Sequence, residues 1–82
     1  MALPVSVIVV VPSQKLYRIL GETIRTERKK AKLSQEKLAE KADLNRNYIG
    51  EIERAEKKIT VETLWKLAKA LNIRVRDLVI DL

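Results

Sequence analysis

The chain contains no cysteine and no histidine. Without cysteine there is neither a disulfide nor a thiolate metal site. Without histidine the commonest metal ligand and the commonest general base are missing as well. The remaining nucleophile candidates are serines and threonines with no base beside them. The carboxylates are interleaved with lysine and arginine, as on a solvated helix surface. No enzyme, no resident metal and no cofactor is expected. Long apolar runs are absent too. The longest, Val5 to Val11, is interrupted by Ser6 and falls far short of the ~20 residues that span a bilayer. It also lacks the basic flank that opens a secretory signal, so no membrane association is expected and the chain should stay in the cytoplasm. There is no internal repeat and no low-complexity linker, and the only glycines are Gly21 and Gly50.

What the sequence does have is positive charge. Its 82 residues suit a single domain near the lower limit of a self-sufficient core, and 17 Lys and Arg stand against 11 Asp and Glu, a net charge of +6. That balance fits nucleic acid, an anionic membrane or an acidic protein partner. The excess is uneven: seven basic and two acidic residues lie between Ser13 and Leu33, against four and five between Ser34 and Arg54. A run such as Arg28-Lys29-Lys30 is equally the mark of a solubilising face.

Composition changes at Pro12. Residues 1–12 form a β-prone extension, because the β-branched run Val5 to Val11 between Pro4 and Pro12 has strand chemistry. Beyond it, residues 13–82 carry helix-formers in an all-α, five-helix pattern. Ser13 can cap a first helix to about Ala31, with Leu16, Leu20 and Ile24 on one face. Ser34 can cap a second, striped by Leu38, Ala39 and Ala42. Asp43-Leu44-Asn45 makes a three-residue break, and Asn45 caps a third helix, Arg46 to Arg54. After a polar loop, Ala55 to Ile59, Thr60 caps a fourth, with apolar positions Val61, Leu64, Leu67, Ala68 and Leu71, and Asn72 suits its left-handed end. A fifth, about Val75 to Ile80, closes the pattern.

Two short helices joined by three residues have the geometry of a DNA-reading helix-turn-helix. At ~100° per residue, Arg46, Asn47, Gly50, Glu51 and Arg54 share one sector of the third helix, while Tyr48, Ile49 and Ile52 occupy the other side. Arg, Asn and Glu suit guanine, adenine and cytosine edges in a major groove, and the glycine leaves room for the backbone to approach. An amphipathic helix of an ordinary bundle gives the same pattern.

The segments Leu33-Ser34-Gln35-Glu36-Lys37-Leu38-Ala39-Glu40-Lys41-Ala42, Leu44-Asn45-Arg46-Asn47-Tyr48-Ile49 and Ile52-Glu53-Arg54 resemble the phage repressor/Cro-type (XRE-like) helix-turn-helix family. The likeness runs from about Leu20 to Val79. Asn45 to Arg54 and Ile59-Thr60 are most similar to the controller proteins of restriction–modification systems. The resemblance implies a repressor-like fold and a sequence-specific transcriptional regulator, a homodimer on a roughly palindromic duplex DNA site. It implies base reading by Arg46, Asn47 and Glu51, and phosphate contacts from Gln35, Tyr48, Arg54, Lys57 and Lys58. Tyr48 is alternatively a half-buried core residue, and Lys57 and Lys58 solvent-exposed loop charges. An ion pair between Arg28 and Glu53 is implied as well. The family usually has glycine where this chain has Lys32, Asp43 and Ala55, so altered turns are expected at Lys32 and Ala55.

A dimer would double the DNA contacts. Trp65, Leu78, Val79, Ile80 and Leu82 are apolar residues available for its interface, although Trp65 could equally be a core side chain. Val7 and Val9 would join them if the segment Val5 to Val11 pairs antiparallel with its counterpart across the twofold axis; the alternative is a disordered tail. A competing function is that of an antitoxin, whose main task is to bind a partner protein. The helical pattern leaves only residues 1–12 for that role.

Overall fold

Three side-chain caps set the starts of three helices. Ser34, Asn45 and Thr60 each hold extended backbone ahead of a helix and accept an N–H from its first turn. Ser34 Oγ takes that of Lys37 at 3.0 Å, Asn45 Oδ1 that of Asn47 at 2.7 Å, and Thr60 Oγ1 that of Thr63 at 3.1 Å. Each cap satisfies one of the amides that an α-helix leaves unpaired at its start. The computed structural model describes residues 13–82, and within them lie α1 (Ser13–Lys30), α2 (Gln35–Ala42), α3 (Arg46–Glu53), α4 (Val61–Leu71) and α5 (Val75–Val79). Ser13 is the first residue of α1, not the cap ahead of it. At α5 the Asp77 carboxylate accepts the Arg74 N–H at 2.9 Å.

The helix ends share one device. Lys32, Asp43, Ala55 and Asn72 all adopt left-handed backbone, with φ of 58°, 55°, 60° and 57°. The next residue's N–H then donates to a carbonyl five positions back: Leu33 to Arg28, Leu44 to Ala39, Glu56 to Glu51 and Ile73 to Ala68, at 2.8–3.1 Å. These bonds satisfy carbonyls that would otherwise end the helix unpaired. The altered turns expected at Lys32 and Ala55 are therefore not found. Both positions keep the glycine-like conformation, although a Cβ there costs roughly 1–2 kcal/mol.

The core is drawn from all five helices: Leu20 and Ile24 of α1, Leu38, Ala39 and Ala42 of α2, Ile49 and Ile52 of α3, Leu67, Ala68 and Leu71 of α4, and Leu78 of α5. α2 packs on α3 and α4, α1 packs on α3, and α5 sits against α4 and α1. Gly21 lets α1 come close to α3, since a Cβ there would lie 2.5 Å from the Ile52 carbonyl oxygen. Two apolar assignments change. Val61, expected on the core face of α4, is 77% exposed, and Leu78, expected at a dimer interface, is 1% exposed inside its own chain. Val61 opens α4 ahead of the stripe formed by Leu64, Leu67, Ala68 and Leu71, whereas α5 is so short that Leu78 is its one buried anchor. The described residues contain helices and no strand. The β-prone run Val5 to Val11, with Val7 and Val9, lies outside them.

Candidate nucleic-acid interface

The outer face of α3 follows from the burial of its inner face. Ile49 and Ile52 are fixed in the core and Tyr48 packs against it, so Arg46 and Asn47 in the first turn point to solvent. Among the described residues their side chains form no ion pair, and Asn47 contributes only its backbone amide to the Asn45 cap. They are free to donate elsewhere. Glu51, one turn on, is half-buried and lies 3.7 Å from Lys57 Nζ.

Gln35 opens α2 and meets this face from the side. Its amide nitrogen donates to Glu53 Oε1 at 3.2 Å. The same carboxylate is gripped by Arg28, whose Nε and Nη2 donate at 2.7 and 3.0 Å while Nη1 donates to the Leu33 carbonyl at 2.9 Å. The Arg28 and Glu53 side chains are only 11% and 4% exposed. Hydrogen bonding from Arg28 to Glu53 holds the guanidinium above its ordinary range, against the opposing effect of burial and with help from the Glu53 charge. The ion pair implied by the family resemblance is thus formed, and it ties the last turn of α1 to the end of α3 and the start of α2.

Gln35, Arg46, Asn47, Gly50, Glu51, Arg54 and Glu56 together line one open concavity of ≈ 550 Å³. Five of the residues expected to touch DNA are thereby brought together: Gln35, Arg46, Asn47, Glu51 and Arg54. Tyr48, Lys57 and Lys58 do not line it. Tyr48 is half-buried, and its hydroxyl donates to the Lys58 carbonyl at 3.3 Å, which fits its core role. Lys57 and Lys58 are exposed in the loop after α3.

Two features depart from the sequence-based picture. Gly50 lies in the floor of the concavity beneath Arg54, not bare to an approaching groove. It is buried, and Arg54 Nη1 lies 2.9 Å from where its Cβ would be. Arg54 in turn is held by Glu56, whose two oxygens accept from Nε and Nη2 at 2.9 and 3.0 Å. Through those hydrogen bonds Glu56 holds Arg54 above its ordinary range, and Arg54 holds the Glu56 carboxyl below the usual carboxylate range. Residue spacing gives no sign of this pair, because residues two apart do not face each other on a helix. They meet here because the left-handed Ala55 between them reverses the chain.

The predicted dimer residues do not gather in one hollow. Trp65 is 52% exposed beside Ala42 and Asp43 at the end of α2, with Lys69 Nζ 4.7 Å from its ring centroid. Ile80, 74% exposed, lines the groove between α1 and α5 with Ile19 and Thr23. Leu82 is exposed and Val79 is half-buried against the core.

Comparison with known proteins matches residues 24–78 to a helix-turn-helix family. Control protein C.SmaI of Serratia marcescens is 52% identical over 60 residues, covering 73% of this chain and 71% of that one. Control protein C.BamHI of Bacillus amyloliquefaciens is 39% identical over 61 residues, 73% and 75% of the two chains. The crystal structure of the restriction–modification controller protein C.AhdI from Aeromonas hydrophila is similar with a TM-score of 0.75. It is 37% identical in sequence and covers 76% of this chain and 94% of its own.

Proposed function

This chain belongs to the helix-turn-helix family of DNA-binding transcription regulators, and on that premise we propose that it acts as a homodimer on a roughly palindromic operator, with α3 in the major groove. The observation that carries this reading is the placement of Arg46 and Asn47. They are exposed on the outer face of α3 and form no side-chain hydrogen bond or ion pair among the described residues, and Gln35 stands across the same concavity at the first turn of α2. Arg46, Asn47 and Glu51 read base edges. Gln35, Arg54, Lys57 and Lys58 hold the backbone, assisted by the amides at the start of α2. Tyr48 serves the backbone contact indirectly, by fixing the loop at Lys58. The net charge of +6 supplies the sequence-independent part of the attraction.

A single recognition helix covers too few base pairs for high specificity, and a twofold dimer doubles them. Trp65, Val79, Ile80 and Leu82 are the apolar side chains available to that contact. Leu78 is not, since its own core covers it. The likeness to control proteins C.SmaI and C.BamHI and to the restriction–modification controller protein C.AhdI supports a regulatory role in a restriction–modification system.

The test is selection of bound sequences from random duplex DNA. The expected product is an inverted repeat with half-site centres about 34 Å apart or a multiple of it. Recovery of no preferred sequence at moderate salt rejects the reading.

A further inference from the structure

Arg54, assigned above to the DNA backbone, is engaged by a carboxylate of its own chain. Arg54 and Glu56 form a two-point pair of the fork-to-carboxylate kind, the same geometry with which arginine grips a phosphate. The pair does not stand apart from the site, because both residues line the concavity with Gln35, Arg46 and Asn47. Gly50 permits the arrangement. The missing Cβ leaves room for the Arg54 guanidinium against α3, with Nη1 2.9 Å from the position a Cβ would take. Ala55 completes it, since its φ of 60° carries the Glu56 carboxylate back over Arg54.

We propose that Glu56 is a built-in phosphate mimic, a carboxylate that Arg54 must release before it can hold the DNA backbone, so that Glu56 sets the affinity of the protein for duplex DNA. This inference rests on the DNA-binding reading above and adds a residue to it that resemblance to the family does not supply. The exchange has a thermodynamic signature. When Arg54 moves from Glu56 to a phosphate, the freed carboxylate stays beside the phosphates and gathers a cation from solution. One of the counterions released from DNA is thereby offset. The pair is exposed on both sides, so it is a weak latch, suited to lowering affinity by a modest factor rather than abolishing it.

The experiment is a salt titration of binding. It uses the full chain, its Glu56→Gln variant, Arg54→Gln, and the double variant, with the duplex recovered by selection and with a random-sequence duplex. Glu40→Gln serves as the charge control. Glu40 lies on α2 outside the concavity and is loosely paired with Lys37 at 3.7 Å. Glu56→Gln is expected to tighten both duplexes roughly 3–10-fold and to steepen the slope of log K against log salt by about one. Glu40→Gln should change affinity by less than about 2-fold, and in the Arg54→Gln background Glu56→Gln should keep the change in slope but tighten binding clearly less than in wild type, because no pair is left to open. In the free protein the Glu56 carboxyl should titrate below the ordinary carboxylate range by NMR, and it should rise when duplex is added.

Unchanged affinity and slope for Glu56→Gln, with wild type binding DNA, overturns the latch alone. An undiminished gain without Arg54 also overturns it, by showing simple charge repulsion. A wild-type chain that binds neither duplex removes the DNA reading itself, and the latch with it.

Discussion

Glu53 is held by two parallel hydrogen bonds from Arg28, at 2.7 and 3.0 Å, across 25 residues of chain. The contact joins the last turn of α1 to the last residue of α3, and Glu53 Oε1 also accepts from Gln35. Arg28 completes its own set by donating to the Leu33 carbonyl in the turn that leads to α2. One carboxylate therefore fixes the relative positions of three helix ends, two of which carry the proposed DNA contacts.

Replacing Glu53 with Ala leaves a nearly buried guanidinium with no counter-charge. An exposed pair contributes about 0–1 kcal/mol, and loss of one partner of a buried pair costs about 3–5 kcal/mol. With side chains 11% and 4% exposed, the cost should fall near 2–4 kcal/mol, seen as a drop in melting temperature of at least ~10 °C for a domain of this size. A circular dichroism melt that matches wild type would reject the pair as a structural element.

The two glycines should behave in opposite ways. Gly21→Ala pushes a Cβ into the Ile52 carbonyl oxygen at 2.5 Å, a backbone atom that cannot step aside. A loss of about 1–3 kcal/mol is expected despite the gain in helix propensity. Gly50→Ala meets only side-chain ends, the movable guanidinium of Arg54 at 2.9 Å and Gln35 Oε1 at an ordinary 3.5 Å. It should preserve or raise stability by up to ~1 kcal/mol while altering DNA affinity, because the Arg54 guanidinium must shift on the face of α3. Equal melting temperatures for the two variants would contradict the close approach of α1 and α3.

Lys32→Gly and Ala55→Gly place glycine where the backbone is already left-handed. Relief of about 1–2 kcal/mol of strain is partly cancelled by the greater freedom of glycine in the unfolded chain, about 0.4–1 kcal/mol. Each variant should gain roughly 0.5–1 kcal/mol in urea unfolding. A loss at either position means that the turn is not left-handed in solution.

On DNA, Arg46→Ala should cost about 1–3 kcal/mol on the selected site and relax preference at one base position. Gln35→Ala should weaken every duplex alike. If Arg46→Ala lowers specific and random binding equally, base reading does not reside at Arg46.

For the dimer, Ile80→Asp and Trp65→Ala are informative because neither side chain is needed inside: both are more than half exposed. Sedimentation at tens of micromolar should show wild type as a dimer and at least one variant shifted towards monomer with an unchanged helical spectrum. Since the two residues lie on different faces, the variant that shifts locates the twofold contact. A wild type that sediments only as monomer, with or without DNA, removes the dimer from the proposal.

Much of the fold was legible because it is written in local chemistry. Ser34, Asn45 and Thr60 cap as their side chains require, and Asn72 ends α4 in the left-handed conformation it tolerates. The inner face of α3 at Ile49 and Ile52 follows from helical period alone. Three things were not legible. Lys32 and Ala55 hold left-handed turns against their own preference, because pairing the last carbonyls of α1 and α3 and continuing the chain into the core outweighs the strain of a Cβ. Leu78 has the same apolar character as Ile80, and only the close seating of α5 against α4 and α1 decides which is buried. The pairing of Glu56 with Arg54 depends on the backbone direction at Ala55, which no residue spacing reveals.

Two of the three side chains that would touch base edges take little part in holding the protein together. Arg46 and Asn47 lie outside the core and outside every ion pair among the described residues, and α3 is pinned instead by its cap, its two isoleucines and Glu53. Positions 46 and 47 can therefore change without a stability threshold standing in the way, whereas Tyr48 and Ile49 in the same turn cannot. If Arg46 and Asn47 read bases as proposed, a lineage of such proteins could track a drifting operator by substitutions at positions 46 and 47 that leave the scaffold untouched.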